Sequence, residues 1–249
     1  MNILVTSAGR RGYIIEYFKE ALCGKGKVYA GNSTPLSSAF YYADERVVTP
    51  LIYDKNYIPF LLDFCKEKQI EMIVSLFDID LLVLSKNKKL FEECGVRVLV
   101  SDENVVTICN DKWKTYEFCL KNNIPVPKTY LSCFEAKKAV QHHEIELPVI
   151  VKPRWGMGSL GVYCAENISE VDIFTQKCKM DIQNTYLKYE AVSDIDNCTI
   201  IQEKLSGEEY GIDIFNNLSG EYCGNVTKKK YSMRAGETDC AMVVKNELV

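Results

Sequence analysis

The sequence lacks any apolar run approaching the ~18 consecutive residues of a membrane-spanning helix, because charges interrupt even its most hydrophobic stretches within about ten residues. It also lacks an excess of positive charge: 30 Lys and Arg stand against 34 Asp and Glu, for a formal net charge of −4. No overall basic field therefore exists to attract nucleic acid of any sequence. We expect neither a membrane nor a nucleic acid among the partners, and any bound anion must be held by a local site.

Cys-x-x-Cys motifs are absent as well, although the chain has 11 cysteines. An odd number of cysteines at irregular spacing predicts reduced, mostly buried thiols and hence a cytoplasmic location. No basic residue precedes the first apolar run, so we expect the amino terminus to be part of the fold rather than a targeting segment. The composition, 47% hydrophobic and 26% charged over 249 residues, is that of a globular protein with one or two domains.

Short apolar runs alternate with longer amphipathic ones through the first hundred residues. This alternation predicts an α/β fold with right-handed βαβ units and a parallel, Rossmann-like sheet covered by helices. The predicted strands are 3–6, 27–31, 72–76 and 96–100, and the predicted helices are 13–23, 54–69 and 80–94. Two more helical runs follow, one from Ser101 and one over 111–121, and we place a domain boundary near Cys109.

Beyond residue 125 the pattern changes to strand, helix, strand, loop and strand, which is typical of an α+β domain. Capping-box sequences beginning at Ser132 and Ser169 each predict a helix start. The polar, weakly periodic segment 179–197 is predicted to be a surface loop with at most one helical turn. Three antiparallel strands are predicted after it, at 199–203, 210–215 and 221–227.

Two glycine-containing segments could bind an anion, and one of them follows the first predicted strand. Gly9 and Gly12 lead into a helix, so their backbone N–H groups and the helix dipole could hold a phosphate, as in a dinucleotide fold. The full Gly-x-Gly-x-x-Gly pattern is absent because Ser7 replaces its first glycine, and no acid for an NAD ribose follows Asn32. A tight strand-to-helix turn and an NAD site both stay open as interpretations.

The other segment is a short apolar strand that ends in Lys152 and is followed by Gly156, Gly158 and Gly161. Together with Ser159 these glycines predict a mobile loop whose backbone closes on phosphates, while Lys152 supplies a point charge. The order is not that of a Walker A loop, in which the lysine follows the glycines. An ordinary glycine-rich β-hairpin is the alternative interpretation.

Further along the chain, the apolar strand at Ile200 ends in the polar sequence Gln-Glu-Lys-Leu-Ser-Gly-Glu-Glu. The backbone N–H and C=O groups of such a hinge can contact an adenine edge, and the nearby carboxylates can bind ribose hydroxyls. A hairpin with a solvated acidic turn is the alternative interpretation.

The order of these segments is that of a known family. Asn-Asp-Lys at 110–112 opens a helix, Val-Ile-Val-Lys-Pro precedes the glycine-rich loop, and Gln-Glu-Lys-Leu-Ser-Gly-Glu-Glu-Tyr-Gly-Ile-Asp follows. Over essentially its whole length the chain resembles the ATP-grasp superfamily, nearest to the carboxylate–amine ligases that are similar to the carbamoyl phosphate synthase large subunit. The resemblance implies an α/β domain at 1–108 and an ATP-grasp domain at 109–249. It places a small lid subdomain at about 125–200 and the start of a carboxyl-terminal subdomain at about 201–249, incomplete at its end.

The resemblance also implies roles for individual residues. Two lysines would contact the nucleotide phosphates beneath a glycine-rich flap, a hinge would bind adenine largely through main-chain atoms, an acid would bind the ribose, and an arginine would be the catalytic cation near the transferred phosphate. The lysines are Lys112 and Lys152, and the flap is Arg154–Gly161, which includes Gly156, Gly158, Ser159 and Gly161. The hinge is Glu203, Lys204 and Leu205, the ribose ligand is Glu209, and the catalytic cation is Arg234.

The implied reaction is activation of a carboxylate by ATP to an acyl phosphate, followed by attack of an amine or a similar nucleophile. ATP and Mg²⁺ are the implied cofactors, a small carboxylate and an amine the substrates, and a homodimer the implied assembly. The family's Mg²⁺ ligands, an acid and then a Glu-x-Asn pair on two late strands, have no match before Val249, where Glu247 is the last acid. We leave the metal ligands unassigned; the chain is either a fragment of a longer ligase or a degenerate relative, and we favour the fragment.

Three function classes therefore stay open: an ATP-grasp ligase, a non-catalytic ATP-binding module and, less favoured, an NAD-linked oxidoreductase. Other candidate residues have ordinary explanations. His142 and His143 are adjacent at a predicted helix end and so make a poor metal pair. Asp78 and Asp80 follow a parallel strand, where such sheets bind ligands, but helix capping explains Asp78 equally well. Lys228–Lys230 is predicted to be a solvated face.

Overall fold

The computed structural model describes residues 1–234 and 236–245, apart from the side chain of Glu237. Ala235, which adjoins Arg234 in the sequence, and Glu247 lie outside the described residues. Two compact units are present, Met1–Thr115 and the chain from Tyr116 onward, and the division falls within the helix Lys112–Lys121. The boundary near Cys109 and the two subdomain ranges stay predictions.

A five-stranded parallel sheet forms the centre of the first unit. Its strands are β1 (Asn2–Thr6), β2 (Val28–Asn32), β3 (Glu45–Val48), β4 (Ile70–Ser75) and β5 (Arg97–Leu99). Its helices are α1 (Gly12–Leu22), a 3₁₀ turn (Ser38–Tyr41), α2 (Tyr57–Lys68), α3 (Asp78–Lys86), α4 (Lys88–Glu93) and α5 (Glu103–Asn110). The strand order is β3-β2-β1-β4-β5, so the predicted Rossmann-like parallel sheet is confirmed.

The central strand β1 separates two hydrophobic cores in this unit. Leu4 packs with Leu61 and Ile73 in one core, whereas Ile3 and Val5 pack in the other with helix α1. A parallel strand covered on both faces has a continuous apolar sequence rather than an alternating one. That is why the run Ile-Leu-Val-Thr was recognisable as a strand from the sequence.

Two details of the first unit differ from the prediction. Strand β3 was not predicted, because it lies at the edge of the sheet and its side chains alternate between half-buried and exposed, without a buried run. The helix predicted at 80–94 is two helices separated at Asn87. The Asn87 side chain donates to the carbonyl of Val83 at 2.8 Å, so it satisfies a backbone group of the last turn of α3.

The second unit contains two antiparallel sheets. Its elements are α6 (Lys112–Lys121, continuing from the first unit), β6 (Thr129–Tyr130), α7 (Cys133–Gln141), β7 (Val149–Pro153), β8 (Tyr163–Ala165), α8 (Ile168–Gln183), α9 (Lys188–Ala191), β9 (Thr199–Glu203), β10 (Tyr210–Asn216), β11 (Tyr222–Arg234) and β12 (Glu237–Val244). One sheet has the order β6-β9-β7-β8 and the other β10-β11-β12. The predicted change from a parallel to an antiparallel arrangement is confirmed.

Helix α8 extends further than the sequence suggested. The helix continues to Gln183 and α9 follows, so the prediction of a surface loop over 179–197 is wrong for its first part. The buried face of α8 is formed by Val171, Thr175, Cys178 and Ile182, which recur at the spacing of a helix. After Cys178 this stripe continues with Ile182 alone, so the last turn of the helix has little apolar periodicity.

The capping of the two long helices in this unit was half predicted. Ser132 caps α7 as expected, since its side chain accepts from the backbone N–H of Phe134. Helix α8 is capped by Asn167 instead of Ser169: Asn167 accepts from Glu170 N at 3.1 Å, and the Glu170 carboxylate accepts from Glu166 N at 2.7 Å. This arrangement is similar to a capping box and begins two residues earlier than predicted, but its glutamate accepts from the residue before the cap, Glu166, rather than from Asn167.

All 11 cysteines are free, but most are not buried. Cys65, Cys178 and Cys198 are buried and five others are exposed, so the prediction of mostly buried thiols is wrong. Burial raises the pKa of Cys65 to about 12, which keeps that thiol protonated. Among the described residues, no helix is both long enough and apolar enough to cross a membrane.

A buried carboxylate ties together the strand ends of the first unit. Asp80 is 0% exposed and accepts hydrogen bonds from Thr6 Oγ1 at 2.6 Å, Ser75 Oγ at 2.8 Å, Ser7 Oγ at 3.1 Å and Tyr57 OH at 2.8 Å. Burial raises the pKa of the Asp80 carboxyl, and the hydroxyl donors oppose that shift. Asp80, a ligand candidate from the sequence, is therefore enclosed by residues from β1, β4 and α2.

We expect Asp80→Ala to lower the free energy of unfolding by about 3 kcal/mol, because it leaves several buried hydroxyl groups without their acceptor. Asp80→Asn should lose less, since an amide still accepts and donates in the same space. Asp78→Ala is the matched control, since Asp78 is exposed in the first turn of the same helix. Urea unfolding would measure all three, and equal losses for Asp78→Ala and Asp80→Ala would contradict the role given to this carboxylate.

Candidate functional site

Lys152 lies near the end of β7, on the face of the four-stranded sheet opposite its main core. Val149 and Val151 point into the core beneath α8, and Lys152 therefore shares the other face with Ile150. Strand register adds Gln202 to this face, because Gln202 is paired with Ile150. We call this surface of β6, β9, β7 and β8 the Lys152 face.

The Lys152 ammonium is held by a neutral group. Its Nζ donates to Gln202 Oε1 at 2.6 Å, and among the described residues no carboxylate forms an ion pair with it. Partial burial lowers the pKa of Lys152, since removing water disfavours the charged form. A lysine with a neutral partner keeps its full charge available for an anion.

The loop after β7 has the backbone geometry that only a glycine-rich sequence adopts readily. Positive φ angles occur at Gly156 (112°), Gly158 (66°), Ser159 (56°) and Gly161 (69°). A Cβ at Gly156 would lie 2.6 Å from Leu187 Cδ2. The loop is therefore seated on the buried Leu187 as well as turned by its glycines.

Arg154 fixes the base of this loop. It is 7% exposed, its Nη1 lies 2.8 Å from Asp194 Oδ2, and its guanidinium lies 4.6 Å from the ring centre of Trp155. Its backbone N–H donates to the carbonyl of Cys198 at 2.9 Å, which continues the β7–β9 ladder by one bond. Within the predicted flap 154–161, Arg154 is thus an anchor, and the glycines form the part free of regular structure.

The end of the β11–β12 hairpin lies against the glycine-rich loop. A Cβ at Gly236 would be 2.2 Å from the backbone carbon of Gly158 and 2.5 Å from Ser159 N, so only a glycine allows this approach. Arg234, the last residue of β11, is two residues before Gly236 in the sequence. Its side chain is 81% exposed, with Nη2 3.5 Å from Asp239 Oδ2.

The predicted adenine hinge begins where β9 ends. The backbone N–H of Glu203 donates to Lys128 O at 2.9 Å, and its carboxylate accepts from Lys128 N at 3.1 Å. Lys204 and Leu205 follow outside any regular element, Leu205 being 65% exposed. The Lys204 side chain turns back over the sheet, with Nζ 3.6 Å from Cys164 Sγ.

The lysines at 228–230, predicted to be a solvated face, lie in β11 with partly exposed side chains. Each lysine forms an ion pair with an acid of β10 or of the two residues before it. The pairs are Lys228 with Asp213 (2.6 Å), Lys229 with Glu208, and Lys230 with Glu209 (2.6 Å). Glu209, the predicted ribose ligand, thus has a lysine partner in this structure. A ribose would have to compete with that ion pair or share the carboxylate.

The remaining candidates lie elsewhere. Lys112 is the first residue of α6 in the first unit, next to Asp111, whose carboxylate accepts from Trp113 N at 3.0 Å. Gly12 is explained by packing, because a Cβ there would lie 2.2 Å from the Tyr42 ring. His142 is at the end of α7, and the described part of the chain has no group of three metal-binding side chains.

Sequence reasoning missed the partners of the predicted residues. Gln202, Thr129 and Asp194 were assigned no role, yet they hold Lys152 and Arg154 in place. Their partners are 40 to 73 residues away in the chain, so only strand register identifies them. A glutamine beside the predicted hinge was the one local signal.

We expect Gly156→Ala to destabilise the second unit more than Gly207→Ala. Both glycines have positive φ, 112° and 125°, but a Cβ at Gly207 meets nothing within 4 Å, whereas one at Gly156 meets Leu187. Backbone strain alone costs about 1 kcal/mol, and overpacking adds about 1–3 kcal/mol. Thermal unfolding of the two variants gives the comparison, and equal stabilities would show that Leu187 does not seat the loop.

Two family models match the chain. Residues 3–99 match the PylC-like N-terminal domain, and residues 145–249 match the ATP-grasp domain. Among curated proteins, the chain is 29% identical over 119 residues to a probable alpha-L-glutamate ligase of Haemophilus influenzae (strain PittEE), covering 46% of this chain and 39% of that protein. It is 25% identical over 148 residues to the alpha-aminoadipate–LysW ligase LysX of Saccharolobus solfataricus, covering 57% of this chain and 46% of that protein. The matches thus span less than half the length of these two relatives.

Solved structures show the same fold. The N5-carboxyaminoimidazole ribonucleotide synthetase of Thermotoga maritima has a TM-score of 0.60 at 23% identity, over 91% of this chain and 53% of that one. The biotin carboxylase domain of the Hydrogenobacter thermophilus 2-oxoglutarate carboxylase, solved as a dimer with MgADP, ADP and bicarbonate, has a TM-score of 0.70 at 16% identity, over 95% of this chain and 51% of that one.

These matches agree with the order of elements described above: a Rossmann-like parallel sheet comes first, and an antiparallel sheet with a lysine and a glycine-rich loop comes second. Residues 3–99 thus match a PylC-like N-terminal domain and residues 145–249 match an ATP-grasp domain, in the order that the sequence resemblance implied.

Proposed function

We propose that this chain binds ATP on the Lys152 face and serves an ATP-dependent ligase that joins a carboxylate to an amine or a similar nucleophile. The observation that carries the proposal is the partly buried Lys152 ammonium, held by the neutral Gln202 at the start of a loop with several positive φ angles. Such a loop can aim backbone N–H groups at phosphate oxygens, and the lysine adds an unneutralised charge. The ligase names of the relatives support the same function.

The proposed roles follow the geometry of the second unit. Lys152 and the loop from Gly156 to Gly161 would hold phosphates, while main-chain groups of Lys204 and Leu205 would contact adenine. Arg234 would approach the transferred phosphate, because its hairpin lies against Gly158. Lys112 is proposed as a second phosphate contact from the family resemblance alone.

The proposed chemistry needs no protein nucleophile. A substrate carboxylate oxygen attacks the γ-phosphorus of ATP, the bond to the β–γ bridging oxygen breaks, and ADP leaves. The amine nitrogen then attacks the acyl carbon, inorganic phosphate leaves with the electron pair of its C–O bond, and the amine proton passes to solvent. The protein's task is to position the groups and neutralise charge, which Lys152 and Arg234 would provide.

Mg²⁺ is part of the proposal, but no residue is assigned to it. The described residues hold no cluster of three metal-binding side chains, and Asp213 and Asp239 are paired with Lys228 and Arg234. Mg²⁺ in nucleotide sites commonly takes one or two carboxylates, with phosphates and waters completing its shell. No step above therefore depends on a particular metal ligand.

The proposal also covers the specificity, the assembly and the location of the ligase. A specificity like that of carbamoyl phosphate synthase rests on the sequence resemblance, whereas the relatives above are named as ligases of glutamate and of alpha-aminoadipate. A homodimer is proposed from the same resemblance, and a cytoplasmic location from the pattern of the cysteines, all of which are free. A non-catalytic ATP-binding module would share the ATP site but release no ADP when carboxylates and amines are supplied.

We expect Lys152→Ala to weaken ATP binding by roughly 1.5–3 kcal/mol, the value of a charged hydrogen bond, with thermal stability nearly unchanged. Isothermal titration calorimetry measures the affinity. Lys177→Ala is the control, since Lys177 is an exposed lysine of the same unit on α8. Equal ATP affinity in Lys152→Ala and the unmodified chain would remove Lys152 from the site.

Recognition of adenine by main-chain groups at Lys204 and Leu205 predicts a preference for ATP over GTP. Guanine presents the opposite donor and acceptor pattern at the edge that such a hinge contacts. Competition binding with the two nucleotides tests this directly. Equal affinities would mean that the hinge assignment is wrong, while leaving the phosphate site at Lys152 untouched.

A further inference from the structure

Gln202 is given no contact with the nucleotide in the function proposed above, yet it is the partner of Lys152, on which that function depends. Its Oε1 accepts from Lys152 Nζ at 2.6 Å. Its Nε2 donates to Thr129 Oγ1 at 2.8 Å, and Thr129 is 2% exposed. The three side chains therefore form a line across β7, β9 and β6.

The orientation of the Gln202 amide is fixed by Thr129. The Thr129 hydroxyl donates to the carbonyl of Pro127 at 2.9 Å, so its proton is already used. Only a lone pair of Thr129 Oγ1 then faces Gln202, and it takes the Nε2–H group. Because the amide has one donor end and one acceptor end, this contact turns Oε1 toward Lys152.

The chemical nature of the acceptor matters more than its position. An amide oxygen fixes the ammonium in space without cancelling its charge, whereas a carboxylate at the same place would form a buried ion pair. The other titratable side chain that register places on this face is Cys164, and it contacts Lys204 and Glu166 rather than Lys152. The charge of Lys152 is thus left for a ligand.

We propose that Gln202 and Thr129 are positioning residues that hold Lys152 extended and fully charged for the nucleotide phosphates. This inference rests on the proposed function for the identity of the ligand. The arrangement of the three side chains stands independently of it, so two separate measurements are needed.

The ligand-independent measurement follows the titration of Lys152 itself. In the full chain labelled with ¹³C at lysine Cε, the Lys152 signal is identified by its loss in Lys152→Met. Gln202→Leu should shift its titration midpoint to lower pH, since the acceptor that favours the charged form is gone, and Gln202→Glu should shift it to higher pH. Cys164→Ser is the control and should leave the midpoint unchanged. An unchanged midpoint in both Gln202 variants would overturn the inference, whether or not ATP binds.

The second measurement is ATP affinity by calorimetry. Gln202→Leu should weaken binding about three- to ten-fold in the unmodified chain, and should have no further effect in the Lys152→Met background. Gln202→Glu should also weaken binding, because its carboxylate would neutralise the Lys152 ammonium. This variant keeps an acceptor for Lys152, so it tests the effect of charge without loss of the hydrogen bond. Thr129→Val should weaken binding about two- to five-fold, and Thr129→Ser, which keeps the hydroxyl, should restore it.

The outcomes separate the two proposals. If Lys152→Met leaves ATP affinity unchanged while Gln202→Leu moves the Lys152 titration, the positioning is correct and the proposed nucleotide site is wrong. If Lys152→Met weakens ATP binding but both Gln202 variants bind as the unmodified chain does, the nucleotide site is correct and the positioning role is wrong. Additive losses in the Lys152→Met/Gln202→Leu double variant would likewise overturn it, because Gln202 would then act on the ligand directly.

Discussion

The antiparallel pairing of β7 with β9 determines which side chains are neighbours around Lys152 in the second unit. Five residues of each strand are in register, from Val149 opposite Glu203 to Pro153 opposite Thr199. This ladder places Lys152 diagonally across from Gln202, and its continuation from Arg154 N to Cys198 O sets the point where the glycine-rich loop leaves the sheet. A shift of one residue in the pairing of β9 with β7 would move the Gln202 side chain to the opposite face from Lys152. The positions of the glycine-rich loop, of Lys152 and of the predicted adenine hinge therefore depend on one strand register.

The parallel sheet could be predicted from the sequence because its strands are buried on both faces and so appear as continuous apolar runs. Strand β3 could not, since Glu45–Val48 lies at the edge and is only half buried. The extension of α8 was missed for a related reason: after Cys178 the helix buries Ile182 alone, so its last turn has little apolar periodicity. In each case the packing partner decided the structure, and that partner is distant in the chain.

The candidate site divides in the same way. Lys152 and the glycines were identified because their local order is informative, and the backbone conformation confirms that Gly156, Gly158 and Gly161 adopt positive φ. Lys228–Lys230 was predicted to be solvated and is partly exposed, but nothing local shows that three acids of the neighbouring segment pair with these lysines. Gln202 and Thr129 were overlooked since their roles exist only in the register.

Asp80 and Lys152 both have neutral hydrogen-bonding partners, and the two side chains differ in how accessible they are to a ligand. Asp80 is fully enclosed, and hydroxyls of four residues satisfy both of its oxygens, so nothing further can bind it. Lys152 is only partly buried and has one amide acceptor for an ammonium that can donate three hydrogen bonds. A charge whose hydrogen-bonding capacity is filled stabilises the loops around it. Among the described residues Lys152 has no counterion, so its unused donors support the proposed phosphate contact in addition to the glycine-rich loop.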